Sequence, residues 1–569
     1  MNQNPGRIDP PAGNHPWLHW LFIAIITLLT FYSFRPALNN EFLKTWDDPI
    51  YVTKNKLLDS LSAKSVLKIF SLNTEMQKLS NNYHPVTTLS LAINHQIAAL
   101  NPWSYYLTNI FIHILNSILV YLLVFLLLDH RKWPGFLVAL LFAIHPMHVE
   151  SVAWISERKD VLYTFFFIAG LITYFYYLKT NRIKYLAFAF LLFFLSVLSK
   201  AMAVVFPVVL ILLDIYLKRK WSYRAILEKI PFFIISALFG MLAIRVQSQG
   251  AINEWQTFTV FQRMMHASYG YLNYLYKFIL PSNLSAFYPY PFITEHGQLP
   301  LVFRIAPWFF LLVMAVSAAS LFMKNRYLRV FGFGMMFYFI TIVMVLQFLS
   351  VGKAITADRY AYIPYIGILF ILASWCSFLT EDKRLALKIP GLAAVVLLLA
   401  GSVVFAMQAR QRVAVWHDDI ALWNDALNQF PDSRMNFIRI KRANLYFDNE
   451  DYHTAMKDYQ VIVSLNPKDD DALERIGRIY GQHFHQLDSA LICFNRGYQA
   501  NPANISLLKN LGVAYGIKAD YSRSLEFFLK AYQQDAGDTA LNLNIATTYR
   551  ALGNMEKSKE FERLSHRLK

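Results

Sequence analysis

The stretch YLTNIFIHILNSILVYLLVFLLL, residues 106–128, carries no Asp, Glu, Lys or Arg and is long enough to cross a hydrocarbon layer as a helix. In that medium only a helix or a closed barrel satisfies every backbone N–H and C=O. Outward from it, about ten more apolar runs follow the same rule. They lie near Trp17–Phe34, Pro134–Val149, Val161–Leu178, Tyr185–Leu198, Met202–Leu217, Ile230–Ile244, Ile305–Met323, Val330–Leu349, Tyr360–Leu379 and Leu385–Ala406. The reading is therefore all-α and polytopic, with about eleven spans.

Across 569 residues 56% are hydrophobic and only 16% charged, where a soluble chain carries about 25% charged residues. The deficit lies in the first 408 residues, and the remainder is mixed and polar. A net charge of +17 raises the question of nucleic acid, but the cations sit between apolar runs. They cluster at Arg131 and Lys132, at Lys179, Arg182 and Lys184, at Lys218–Lys229, at Lys324–Arg329 and at Lys383–Lys388. This is the positive-inside pattern, with no basic stripe interleaved with aromatics, so no nucleic-acid partner is expected. It sets the N-terminus in the cytoplasm and the loops around Asp47, Glu157 and Asp358 outside; odd parity puts the C-terminal part outside too. The first apolar run reads as a retained anchor. The stretch Gln249–Leu299 reads as membrane-surface helices rather than a twelfth crossing. Two cysteines, Cys376 and Cys493, make no disulfide framework.

From about Val415 the chain repeats itself every 34 to 35 residues, with small residues at Ala455, Ala490, Ser524 and Ser558. Aromatics recur beside them at Tyr446, Tyr459, Tyr480, Phe494, Tyr515, Phe528 and Tyr549, and Pro467 and Pro502 close two units. The pattern resembles the tetratricopeptide repeat, a helix-turn-helix unit whose small residue lets two helices approach. The expected division is a membrane domain over 1–410, with a large first outer loop at 35–86, and an α-solenoid of about three to four repeats over 415–569. Such an array offers a groove for a peptide, or serves only as a prop.

Ionisable residues beside apolar spans are costly, so they mark where chemistry is expected. Asp47 and Asp48 stand close after the first span, a pair suited to a general base or a metal ligand, and equally to a turn with an Asx cap. Pro49 favours an extended Asp48, which would leave one aspartate per pocket. His145, His148 and Glu150 are spaced as zinc ligands can be, or line a vestibule as polar helix ends. Arg158 and Lys159 face phosphate, or form an ion-pair network with Glu157 and Asp160. Lys353 and Arg359, followed by Tyr360, form a third group; a guanidinium at a helix end suits bidentate phosphate contact or snorkels.

Four blocks carry a resemblance together: FLKTWDDPIYVTKNKLL at 42–58, NNYHPVTTLSLAINH at 81–95, LFAIHPMHVESVAWISERKDVL at 141–162 and ADRYAYIPYIG at 357–367. In this order, with repeats after them, the chain resembles the transmembrane and tetratricopeptide repeat containing protein O-mannosyltransferases and their bacterial relatives. The resemblance covers nearly the whole chain, and it implies a GT-C glycosyltransferase with a polyprenyl-phosphate-linked sugar as donor and mannose as that sugar. It also implies an inverting transfer to Ser or Thr hydroxyls of a protein acceptor that binds the repeats. Asp47 and Asp48 take the place of the catalytic acidic pair, Arg158 and Asp160 that of a basic-acidic motif, and Arg359 and Tyr360 that of an arginine-tyrosine motif. Arg359, Arg158, Lys159, Lys200 and Lys353 are then the candidates for the donor phosphate. His84, His145, His148, Glu150, Asp160 and Tyr360 are supporting residues. A divalent metal is compatible with this set, and its ligands are not identified. The membrane is a bacterial inner membrane or the endoplasmic reticulum, with the repeats periplasmic or lumenal. Two other readings stay open: a cell-envelope scaffold built on the repeats, and a transporter of lipid-linked glycans, which would need more ionisable residues in the spans than Asp214 supplies.

Overall fold

The computed structural model describes residues 16–72, 74, 79–248, 258–291, 298–349, 352, 354–431 and 435–567. Among them every regular element is helical, and extended backbone pairs only at a bridge between Pro289 and Ala354. The chain forms two compact units, Met1–Asp425 and Ala426–Lys569.

In the first unit, seven helices among the described residues are long and apolar enough to cross a membrane: Trp17–Asn39, Pro102–Leu127, Ile155–Thr180, Tyr223–Gln247, Leu301–Leu321, Arg326–Val345 and Leu385–Val415. An eighth is made of Lys132–Ile144 and Pro146–Ala153, bent by 57°. This is a multi-pass membrane protein. The reading of about eleven spans also counted Ile183–Ser199, Ala201–Tyr216 and Tyr365–Thr380, which have 10 to 17 residues. At about 1.5 Å per residue these lie at the short end of what crosses a hydrocarbon core of about 30 Å. The stretch 258–280 forms one helix, Val260–Ile279, opened by a capping box between Thr259 and Gln262.

The bend decides where polar groups gather. At His145 the helix stops, and the chain turns through short helical pieces to Glu157 before Arg158–Thr180 begins. Carbonyls released by such a break need donors, because lipid supplies none. The helix Pro102–Leu127 provides them. Asn109 Nδ2 donates to the carbonyls of Val152 and Trp154, both at 3.2 Å. Asn116 Nδ2 donates to Val161 at 2.8 Å, and His113 Nε2 pairs with Ala143 at 2.9 Å. The Tyr362 hydroxyl joins His113 Nδ1 at 2.6 Å, which ties the turn Asp358–Ala361 to the same helix.

The second unit is built of helix pairs: Asn436–Asp448 with Tyr452–Leu465, Asp470–Arg478 with Leu487–Ala500, Ile505–Ile517 with Tyr521–Gln534, and Thr539–Ala551 with Met555–Arg567. Ala455, Ala490, Ser524 and Ser558 are buried where the paired helices cross. Asp451, Asp469, Asn504, Asp520 and Asp538 cap helix N-termini through their side chains. The step from Ala455 to Ala490 is one residue longer than the next two, and the chain absorbs the extra residue in a π turn, Ile479–His483. These are tetratricopeptide-type repeats.

Close approach of Arg326–Ile342 and Tyr365–Thr380 depends on a glycine pair. A Cβ on Gly367 would strike the carbonyl oxygen of Gly334 and lie 3.1 Å from the amide of Tyr338. Gly401, with nothing within 4 Å of such a Cβ, is the control. Gly367→Ala is expected to cost about 1–3 kcal/mol by overpacking, read as a lower unfolding midpoint in detergent, whereas Gly401→Ala should lose nothing. Equal midpoints for the two variants would refute the contact.

Candidate functional site

After Trp17–Phe34 and the 3-10 turn Arg35–Asn39, the chain runs through residues 40–48 into a π turn, Pro49–Thr53. Asp48 lies at the start of that turn with φ −59° and ψ −33°. It is therefore helical rather than extended as Pro49 led us to expect. Four donors override the local preference. Oδ2 accepts the Leu43 N–H at 2.9 Å; Oδ1 accepts Trp154 Nε1 at 3.1 Å, the Ser156 N–H at 3.2 Å and Ser156 Oγ at 2.5 Å. Burial pushes its carboxyl up to about 6, against the pull of the hydrogen bonds from Ser156 and Leu43. Asp47 is only partly buried. Its backbone carbonyl takes the N–H groups of Ile50 and Tyr51 at 3.0 and 3.1 Å, and its charge acts on Lys159 and Tyr51.

Beside the pair runs an alternating network of buried charges. Arg359 bonds Glu150 through its guanidinium, its backbone N–H reaches Glu150 Oε2 at 3.0 Å, and its Nε lies 3.3 Å from Glu157. Glu157 meets Lys159 at 3.1 Å and Lys200 at 3.4 Å, and Lys200 bonds Asp160. Ser151 Oγ donates to Asp160 at 3.2 Å. Aromatic faces cover the cations: Tyr51 lies 4.7 Å from Lys159, Trp154 5.5 Å from Arg359 and Tyr360 4.8 Å from Arg359. His84, just before Pro85–Ala98, is buried with Nδ1 unpartnered. Burial first, then Lys159 and Lys200, hold it well below its ordinary value, so it is a neutral imidazole.

The fold thus gathers Asp47, Asp48, His84, Glu150, Lys159, Asp160, Lys200, Arg359 and Tyr360. Three other residues go elsewhere. Arg158, read from the sequence as facing phosphate, is fully buried, and its fork is used up on neutral acceptors. Nε donates to Asn109 Oδ1, Nη1 to Ser90 Oγ at 2.9 Å and Asn94 Oδ1 at 2.8 Å, and Nη2 to the Tyr105 carbonyl at 2.8 Å. As the first residue of its helix it points about 100° away from Lys159, as adjacent helical residues do. His145 and His148 line no vestibule. His145 accepts the Met147 N–H and pairs through Nε2 with the Phe278 carbonyl at 3.1 Å, while His148 pairs with the Phe142 carbonyl at 2.8 Å. Both are buried among Phe142, Tyr362 and Tyr365. Lys353 lies outside the described residues. Among the described residues no three His, Cys, Asp or Glu side chains could hold a metal ion together.

Sequence reasoning missed Trp154 and Ser156, which bond Asp48, and Tyr51, whose ring faces Lys159. It also missed Asn109, although a polar residue inside an apolar run is a signal.

No family model matches the chain. It is similar to curated protein O-mannosyl-transferases. Over 100 residues it is 40% identical to TMTC2 of Homo sapiens, covering 18% of this chain and 12% of that protein. Over 459 residues it is 22% identical to F38B6.6 of Caenorhabditis elegans, covering 78% of this chain and 63% of that protein. The matches span less than two thirds of either relative's own length. Among solved structures, YrrB, described as a tetratricopeptide-repeat protein with an unusual peptide-binding site, is 19% identical with a TM-score of 0.24, covering 34% of this chain and 92% of that one.

A guanidinium that serves four acceptors in a fixed fork cannot be replaced by an ammonium. Arg158→Lys should keep the charge yet lose about 1–3 kcal/mol for groups left unsatisfied, seen as a lower unfolding midpoint in detergent. A variant as stable as the parent would contradict the structural role.

Proposed function

We propose that this protein transfers a sugar, mannose as in the names of its relatives, from a polyprenyl-phosphate donor to Ser or Thr hydroxyls of protein acceptors, as a GT-C glycosyltransferase. The observation that carries the reading is a partly exposed carboxylate, Asp47, whose charge acts on Lys159, and a network that ties Lys159 to Lys200 and Arg359 through Glu157.

Asp47 is the base. It takes the hydroxyl proton as the acceptor oxygen closes on the anomeric carbon from the side opposite the phosphate, and the anomeric C–O bond breaks with its electron pair leaving on phosphate. The configuration inverts. Asp48 cannot share the task while four donors occupy its oxygens; it fixes the backbone that presents Asp47. The donor is a phosphodiester with one negative charge and the product a phosphomonoester with a second one developing. Cations at that phosphate therefore stabilise the transition state more than the ground state. Arg359, Lys159 and Lys200 fill this role, with Glu150, Glu157 and Asp160 keeping their side chains in place. Tyr360 backs the guanidinium. Neutral His84, with a free ring nitrogen and no added positive charge, suits a sugar hydroxyl. The repeats bind the acceptor polypeptide. The site and the repeats lie on the outer, periplasmic or lumenal side, as the alternate-loop charge bias implies.

Two measurements test this. Asp47→Asn keeps shape and removes the proton acceptor, so turnover should fall about 10² to 10⁴-fold with donor binding and unfolding midpoint intact. Asp48→Asn should lower the midpoint as well, because an amide turns one acceptor into a donor facing other donors. Parental turnover in Asp47→Asn would remove the base and favour the scaffold reading. For topology, an impermeant thiol reagent should label cysteines placed at Lys56 and Met555 from outside, and those at Lys184 and Lys383 only after permeabilisation. Labelling at Met555 from the cytoplasm alone would refute the orientation.

A further inference from the structure

The loop that carries Asp47 has no regular secondary structure between Asn39 and Pro49, so its N–H groups find partners outside a helix or sheet ladder. Asp48 supplies one, at Leu43. The others come from the far end of the same unit, some 375 residues along the chain. The Asp419 carboxylate receives two consecutive amides, Lys44 N–H on Oδ2 at 2.7 Å and Thr45 N–H on Oδ1 at 2.9 Å, and it bonds the Thr45 hydroxyl as well. Trp423 Nε1 donates to Thr45 Oγ1 at 2.8 Å, and its ring packs on Trp46 with centroids 4.7 Å apart. The His417 carbonyl takes the Glu41 N–H at 2.8 Å. Trp416 stacks on Trp154 at 5.5 Å, the indole that itself bonds Asp48. Asp419 and Trp423 are both buried and sit one turn apart on one helix, Asp419–Gln429.

We propose that Asp419 and Trp423 are positioning residues: the segment 416–423 is a strap that sets the backbone of residues 44–46 and through it the place of Asp47. A carboxylate closing on two successive N–H groups fixes a peptide plane as one hydrogen bond cannot. Asp47 is two residues from Thr45, so a shift there moves the base directly. A misplacement of about 1 Å costs roughly 10²-fold in rate. The donor cations Arg359, Lys159 and Lys200 are held by their own carboxylates, Glu150, Glu157 and Asp160. Loss of the strap therefore lowers turnover and spares donor affinity.

The inference rests on the transferase reading, and the experiment separates the two. In full-length protein, single-residue hydrogen exchange and transfer kinetics with mannosyl-phosphoryl-polyprenol are compared for the parent, Asp419→Ala and Trp423→Phe. In Asp419→Ala the amides of Lys44 and Thr45 should exchange at least about tenfold faster while the Leu43 amide stays protected, and kcat should fall at least about tenfold with donor KM within about twofold. Trp423→Phe keeps the packing on Trp46 and loses only the bond to Thr45. It should fold as the parent does and show the same split on a smaller scale, and Thr45→Ser should behave as the parent. Unchanged exchange at Lys44 and Thr45 overturns the strap, and so does faster exchange with kcat per folded molecule unchanged. An inactive parent would refute the transferase reading, while the exchange rates would still decide the strap.

Discussion

A polypeptide that stops being helical inside an apolar layer must find a partner for every N–H and C=O it releases, because lipid offers none. This protein makes that break at His145, and much of what surrounds the site answers to it. Asn109 serves the carbonyls of Val152 and Trp154 and hands its own oxygen to Arg158. His113 serves Ala143, and Tyr362 closes the loop between His113 and Asn116. The irregular stretch is therefore rigid, and the helix that follows it starts where Lys159 and Asp160 project into the charge network and Arg158 does not.

Burying six charges is costly, and neutral pairing alone seldom makes such a network more stable than apolar packing of the same volume. Here three carboxylates, Glu150, Glu157 and Asp160, alternate with three cations, Arg359, Lys159 and Lys200. Under the proposed transferase reading the arrangement is preorganisation: the cations are oriented before a phosphate arrives, so little reorganisation is left for the reaction itself. Glu157 is the hinge of the network, since it touches all three cations. It would hold their spacing even when one of them turns toward a ligand.

The membrane part was legible because apolar runs of this length have few other uses, and the repeats because small residues recur at one period. Shorter runs such as Tyr365–Thr380 are read as crossings on hydropathy alone, which marks burial in protein as strongly as burial in lipid. The acidic pair, Lys159 and Arg359 stand out in the sequence as costly charges beside spans, while Lys200 is a candidate only through the resemblance. Arg158, read as facing phosphate or as part of the ion-pair network, instead meets neutral acceptors on neighbouring helices, because adjacent helical positions diverge by about 100° and turn it away from Lys159. His145 and His148 read in the sequence as polar ends lining a vestibule or as metal ligands, but a buried histidine is as well served by backbone carbonyls, and the carbonyls nearby cannot be foreseen without the bend. Trp154 and Ser156 act through neutral hydrogen bonds, which leave no mark in composition or spacing.

The two adjacent aspartates show why such a pair need not mean two catalytic groups. A loop that enters a buried site without secondary structure has amides to satisfy, and a carboxylate is the acceptor best able to take several at once. Asp48 does this from within the loop, reaching back to Leu43 and across to Trp154 and Ser156. Asp419 does the same from outside it, for Lys44 and Thr45. With its backbone held on both sides, the loop leaves Asp47 partly uncovered. The four donors on Asp48 give that residue a structural task, which is why its neighbour is the proposed base.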